Sequence, residues 1–336
     1  MKHAIIIVIT VCFIVRGFSQ TVTAFEPAEN GTWEDRYDFL LRTADLYEAD
    51  SAIYFNLQAL ELARDNHNVF LYADVMARLG NNYRTQGDFV AALAYYDKVL
   101  RITDSIEDSR STAGIYLDIG YVHKLQEHYE TARDYYTKAL AIFKALDDSA
   151  NVALSYNRIA VAYYYQDKPE EAKRFYLRAV KIAEKTGDSL SLAQYLVNTG
   201  IVFFDQKQYR AALRFLDKSL ALEKKVSDTN TRHKMFGFTG ECYFELLKEA
   251  ALKGTSEQVD ELTLQSRCYL ILATGAAEKD NDAESAARFR KMAEDADLLN
   301  EQYYSHPYLI LFIPLLVIMA FVAWKIKNDR GTRIKF

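Results

Sequence analysis

Small and apolar positions recur every forty residues along the middle of the chain. Gly80, Gly120, Ala160, Gly200 and Gly240 stand in register, and so do Ala92, Ala132, Ala172 and Ala212. Tyr96, Tyr136 and Tyr176, with Leu216, follow those alanines four residues on, one helical turn along the same face. The block 111–150 predicts one helix to about Gln126, a turn at Glu127-His128, and a second helix from near Tyr129 to about Leu146. Asp108, Asp148, Asp188 and Asp228 are each followed by Ser or Thr, and each can cap the helix that begins there. The unit is a pair of antiparallel helices. A fixed period of this size predicts an all-α array of stacked pairs.

The small residues have a steric reading. Gly120 and its equivalents fall mid-helix, where Gly costs roughly 1 kcal/mol relative to Ala. Close approach of the partner helix would offset that cost, with Ala132 and its equivalents across the contact. Pro169 stands where Phe89, Tyr129 and Tyr209 stand in other blocks. That is the first turn of the second helix, where Pro loses no hydrogen bond.

The two ends differ from this body. Residues 4–15 hold no charge and are apolar apart from Thr10 after a short basic head, and Gly17-Phe18-Ser19 follow. This predicts a signal peptide over 1–19, with 20–34 an extension before the array. Residues 308–324 hold no charge, which is the short end of a membrane span. Tyr303, Tyr304, Tyr308 and Trp324 are placed as interfacial aromatics. The expected span is 305–325, and the expected basic tail is 326–336. Lys325, Lys327, Arg330, Arg333 and Lys335 place that tail in the cytoplasm by the positive-inside rule. The body would then lie outside the cytoplasm on a single-pass anchor.

Charge narrows the partner. Removing the seven basic residues and one acidic residue of the two ends from totals of 41 and 46 leaves 34 against 45. A body with a net charge of −11 argues against nucleic acid. His67, His123, His128 and His233 are scattered, and His123 and His128 are expected to face different sides of the fold. No phosphate loop and no HExxH motif is present. The reading is therefore non-enzymatic, without metal or cofactor. Cys242 and Cys268 lie on neighbouring expected helices and could pair as a disulfide.

The residues resemble the tetratricopeptide repeat. Leu79-Gly80-Asn81-Asn82-Tyr83, Gln86-Gly87-Asp88-Phe89, Ala92 and Tyr96 carry its signature. So do Ile119, Gly120, Ala132, Tyr136 and Ala139, then Ala160, Tyr163, Ala172 and Ala179, then Gly200, Phe203, Tyr209 and Ala212. The likeness is strong over 69–225, and the longer period matches the long-repeat subclass. The array is expected over 35–304 with atypical ends. The unit at 35–66 is expected to keep only its second helix, and 256–304 to form two further helices. The resemblance implies a right-handed superhelical solenoid whose concave wall is made by the first helix of each pair. It places Asn81 and Arg84, Tyr121 and Lys124, Asn157, Val161 and Tyr164, and Ile201 and Phe204 on that wall, with Ala77, Leu117 and Val197 beside them. Exposed aromatic and aliphatic residues in a row suggest a protein or peptide partner. Two readings stay open: an anchored extracytoplasmic adaptor, or a sensor ectodomain similar to the input half of Bacteroidetes-type regulators, its output domain on another chain.

Overall fold

The computed structural model describes residues 31–253 and 255–305. The leader at 1–19, the apolar stretch at 308–324 and the basic tail at 326–336 lie outside the described residues. Among those described, no helix is long and apolar enough to cross a membrane. The chain divides into two compact units, Met1–Phe175 and Tyr176–Phe336, with the boundary inside one helix. The described residues hold thirteen α-helices and one 3-10 turn, and no strand.

The first unit holds α1 (Trp33–Ala44), α2 (Ala49–Asp65), α3 (Val69–Gln86), α4 (Phe89–Ser105), α5 (Ser109–Leu125), α6 (Tyr129–Ala145), α7 (Ser149–Tyr165) and the start of α8 (Pro169–Thr186). From α1 to α7 each helix packs on its neighbours in sequence. The pair at 111–150 falls within about two residues of its expected bounds. The earliest unit keeps its first helix after all, as α1. A capping box at Thr32 and Asp35 starts that helix, and Tyr37, Leu40 and Leu41 bury its inner side. No repeat residue marks it, so the forty-residue pattern misses it.

The aspartates do cap. Asp108 accepts from the Ser111 N–H at 3.0 Å and Asp148 from the Asn151 N–H at 3.1 Å. Hydrogen bonds from the Ser111 and Asn151 side chains, with those N–H bonds, hold both carboxyls below the usual carboxylate range. The helices α2 to α7 also end in one way. His67, Gly87, Glu107, Glu127, Asp147 and Asp167 all have positive φ, at intervals of twenty residues. The residue after each one donates back across the last turn, as His128 does to the His123 carbonyl at 2.8 Å. That is the bond of a Schellman close. The same residue is then the N-cap of the next helix, so one short turn ends one helix and starts another.

The mid-helix glycines make room for a ring. A Cβ on Gly120 would lie 2.5 Å from the Tyr136 ring, and one on Gly80 would lie 2.6 Å from Tyr96. Ala132 contributes its carbonyl oxygen at 3.1 Å from the same point on Gly120. The close approach is therefore mainly to an aromatic side chain and only secondarily to the partner backbone. Tyr96 and Tyr136 are buried as a result, and full burial of a large side chain stabilises by roughly 1.5–3 kcal/mol.

The second unit holds the rest of α8, then α9 (Ser189–Asp205), α10 (Tyr209–Leu220), the 3-10 turn at Glu223–Lys225, α11 (Thr229–Lys253), α12 (Ser256–Lys279) and α13 (Ala283–Ser305). Asp188 and Asp228 cap here as their equivalents do, accepting from the Ser191 N–H at 3.1 Å and the Thr231 N–H at 2.8 Å. The forty-residue register ends at Gly240, whose inner face meets Leu270 of α12. The two helices expected over 256–304 are α12 and α13. The expected disulfide is absent: Cys242 is buried and Cys268 exposed, both as free thiols. Cys242 sits in the apolar core of this unit, and burial raises its thiol's pKa well above the ordinary value.

Candidate partner-binding face

Three helices of the first unit, α3, α5 and α7, bring together a cluster that is charged and aromatic. Its centre is the ring of Tyr121. The Arg84 guanidinium lies 4.8 Å from the ring centroid and the Arg158 guanidinium 5.0 Å. The Lys124 ammonium lies 5.6 Å from the same ring and 5.2 Å from that of Tyr165. A ring presents a negative face to cations, so one tyrosine here holds three positive side chains near each other. Their mutual repulsion leaves the group prepared for a negative charge.

One carboxylate lies under the cations. Burial pushes the Asp118 carboxyl up to about 6, while Arg84 and Arg158 pull it back toward the charged form. Among the described residues no ion pair within 4.0 Å involves Asp118. The Arg84 side chain is fixed from behind: its Nη2 donates to Asn81 Oδ1 at 3.0 Å. The Tyr96 hydroxyl donates to the same oxygen at 2.9 Å, and burial pushes that hydroxyl up to about 12. Arg84 Nε is buried without a partner. Arg158 has no hydrogen bond or ion pair among the described residues, only its position over Tyr121.

The residues expected on the wall separate into three groups. Arg84, Tyr121 and Lys124 meet in one cluster, and Asn81 positions the first of them. Val161 and Tyr164 are half-buried on α7, with Tyr164 edge-on to Tyr165 at 5.5 Å. Asn157 is a correction: it is 3 % exposed and engaged within the fold. Such a side chain has no surface to offer a partner. In the second unit Val197 is buried, and Ile201 and Phe204 pack against the core. The Phe204 ring meets Phe238 edge-on at 5.5 Å and Tyr209 at 5.6 Å. These two side chains mainly fill space. His123 and His128 are a further correction: the turn between α5 and α6 brings their rings to 6.1 Å, and His123 also stacks on Tyr135.

Sequence reasoning missed Asp118 and Arg158. Both stand in one column of the repeat, with Arg78, Asn198 and Phe238 at the same forty-residue spacing. Opposite charges alternating down one column were the available signal. Among the described residues no group of His, Cys, Asp or Glu could hold a metal ion.

Residues 71–145 and 151–225 match the tetratricopeptide repeat family. Those two stretches contain α4 to α6 and α8 to α10 whole, and most of α3 and α7. No curated protein matches the chain. Among solved structures, the apo form of RapI is similar over 82 % of this chain and 78 % of its own, at 16 % identity and a TM-score of 0.53. A Rap protein complexed with competence and sporulation factor is similar over 81 % and 76 %, at 16 % identity and 0.54. Aspartyl phosphate phosphatase F from Bacillus subtilis covers 89 % and 77 %, at 13 % identity and 0.55. At these identities the likeness is one of fold.

Proposed function

We propose that this tetratricopeptide-repeat chain is a non-enzymatic scaffold whose first unit binds an anionic segment of a protein or peptide. The observation that carries the reading is the pair Arg84 and Arg158 about Tyr121, with Lys124 beside them and one buried carboxylate for three cations. A body that is acidic overall and brings three cations together here favours a ligand carrying complementary charge at this place. Guanidinium groups suit carboxylates because two N–H donors match two oxygens. The Rap protein complexed with competence and sporulation factor supports the class, since a chain of similar fold takes a separate factor.

The proposal extends to location. The apolar leader, the uncharged stretch at 308–324 and the basic residues after it support an anchored protein with its repeats outside the cytoplasm. The test of binding is crosslinking in intact membranes followed by mass spectrometry. Arg84→Gln with Arg158→Gln removes two charge-assisted contacts, and should lower affinity for the captured partner about a hundredfold. The loss should shrink as salt is raised. Unchanged capture by a variant of normal helicity would move the site to another face.

A further inference from the structure

The outer face of α12 is apolar and uncovered. Leu264 is 60 % exposed there, Ile271 54 % and Leu272 49 %, with Cys268 exposed among them. Leu264, Cys268, Ile271 and Gly275 follow one another at spacings of four, three and four, the spacing of a seam between two helices. The inner face of α12 is already used: Val259, Leu270, Ala273 and Ala277 are buried within the second unit. Gly275 adds a steric observation. A Cβ on Gly80, Gly120, Gly200, Gly237 or Gly240 would lie within 3 Å of a neighbouring side chain, whereas one on Gly275 would meet nothing within 4 Å. Glycine weakens a helix interior relative to alanine, and no contact among the described residues offsets that here. Gly114 in α5 is as open, but Arg110, Ser111 and Asp118 share its side of the helix and form no apolar seam.

Charge and shape say what fits this face. Glu257 and Glu261 border the seam at one end and Lys279 at the other, all three exposed. None of them forms an ion pair among the described residues. Turn a second copy end for end against the first, with the two-fold axis between Cys268 and Ile271. Leu264 of each copy then lies over Gly275 of the other, a large side chain over a missing one. Lys279 of each falls between Glu257 and Glu261 of the other. Two copies running the same way would instead set Glu257 and Glu261 against themselves and leave Gly275 facing Gly275. The face is complementary to its own reverse.

We propose that the outer face of α12 is the interface of a homodimer, two copies of this chain packed antiparallel along Leu264, Cys268, Ile271 and Gly275. Such a contact uses the same patch on both sides, so it closes at two copies. The seam from Leu264 to Gly275 is about 17 Å long, which makes the interface smaller than that of a permanent complex. The copies therefore exchange, and Cys268 is open to thiol reagents whenever they part. The surface shares no residue with the Arg84 and Arg158 cluster of the first unit.

The test is sedimentation velocity of the full chain in detergent at about 1 to 100 μM. A monomer–dimer equilibrium that moves with concentration is expected. Leu264→Glu with Ile271→Glu changes only exposed side chains, so helicity and melting temperature should stay as they are while the dimer weakens at least about tenfold. Direction is read by disulfide mapping in a Cys268→Ser background. Chains carrying Leu264→Cys are mixed with chains carrying Gly275→Cys and oxidised, and the 264–275 disulfide should exceed either self-disulfide. Three outcomes overturn the proposal. A monomer at every concentration leaves this face to another protein or to the chain's own apolar stretch at 308–324. A dimer unmoved by the double variant forms through a different surface. Self-disulfides in excess mean that the copies run the same way. None of these bears on Arg84 and Arg158, so failure here leaves the first-unit reading standing.

Discussion

The Asp118 carboxyl titrates near 6 because burial penalises its charged form more than Arg84 and Arg158 favour it. An unfolded aspartate titrates near 3.9. The folded state therefore binds the proton more tightly. Stability from this group is fully present below about pH 4 and is lost as pH rises through about 6. At pH 7 the ionised Asp118 costs the fold about 3 kcal/mol. Asp118→Asn should then be more stable than the parent by about that amount at pH 7, and equal to it near pH 4. Urea midpoints at the two pH values decide this; equal shifts at both would show that the carboxyl is not strained by burial. The cost is intelligible if the site is built for a ligand, since an anion over Arg84 and Arg158 would favour protonation of Asp118 below. At this scale the sequence was half legible. Arg84, Tyr121 and Lys124 fall on family positions, whereas Asp118 and Arg158 became visible only once the Tyr121 ring was seen to draw α3, α5 and α7 to one point. Asn157 and Phe204 stand at equivalent inward positions and are consumed by packing, which a repeat pattern cannot distinguish from exposure.

Helices in this chain are twenty-residue modules, although the residues repeat every forty. The side-chain period is forty because first and second helices bury different faces: glycine on one, alanine and tyrosine on the other. The backbone period is twenty because α2 to α9 all end in the same left-handed turn. That period left no trace in residue type, since the positive-φ positions are held by His67, Gly87, Glu107, Glu127, Asp147, Asp167, Gly187 and Lys207. Only two of the eight are glycine, and each of the others carries a cost of roughly 1–2 kcal/mol for its Cβ in that region. Lys207, at φ 58°, is one of four that are neither Gly, Asn nor Asp. Lys207→Gly should raise stability by about 0.5–1 kcal/mol, the strain relieved less the extra freedom glycine gives the unfolded chain. Gly187→Ala should cost about 1 kcal/mol, although an added Cβ there would touch nothing within 4 Å. Both are read from denaturant midpoints. A stabilised Gly187→Ala would mean that this turn relaxes out of the left-handed region.

At the scale of the whole molecule the reading joins a helical array to a location, and the two rest on different parts of the sequence. The array rests on residues 69–225, where glycine, alanine and tyrosine columns fix both helix type and pairing. The location rests on the ends. There the proposed argument is one of solvent: seventeen uncharged residues at 308–324, with tyrosines at one side and a tryptophan at the other, would as a helix reach about 25 Å, the short end of a membrane span. Five basic residues follow within the last twelve, and under the proposed location the positive-inside rule would keep that side in the cytoplasm. If this holds, Arg84, Tyr121 and Arg158 face an extracytoplasmic partner, and Cys268 is exposed to an oxidising compartment while Cys242 is shielded from it. A membrane-impermeant maleimide applied to intact cells, or to cells with a permeabilised outer layer, should therefore label Cys268 and spare Cys242. Added protease should degrade the repeats from the same side and leave a short fragment reactive toward an antibody against the basic tail. Cys268 labelled only after lysis, with the repeats protected until then, would place the array in the cytoplasm. The Arg84–Arg158 face would survive that result unchanged, because its chemistry depends on three neighbouring helices and not on the side of the membrane they occupy.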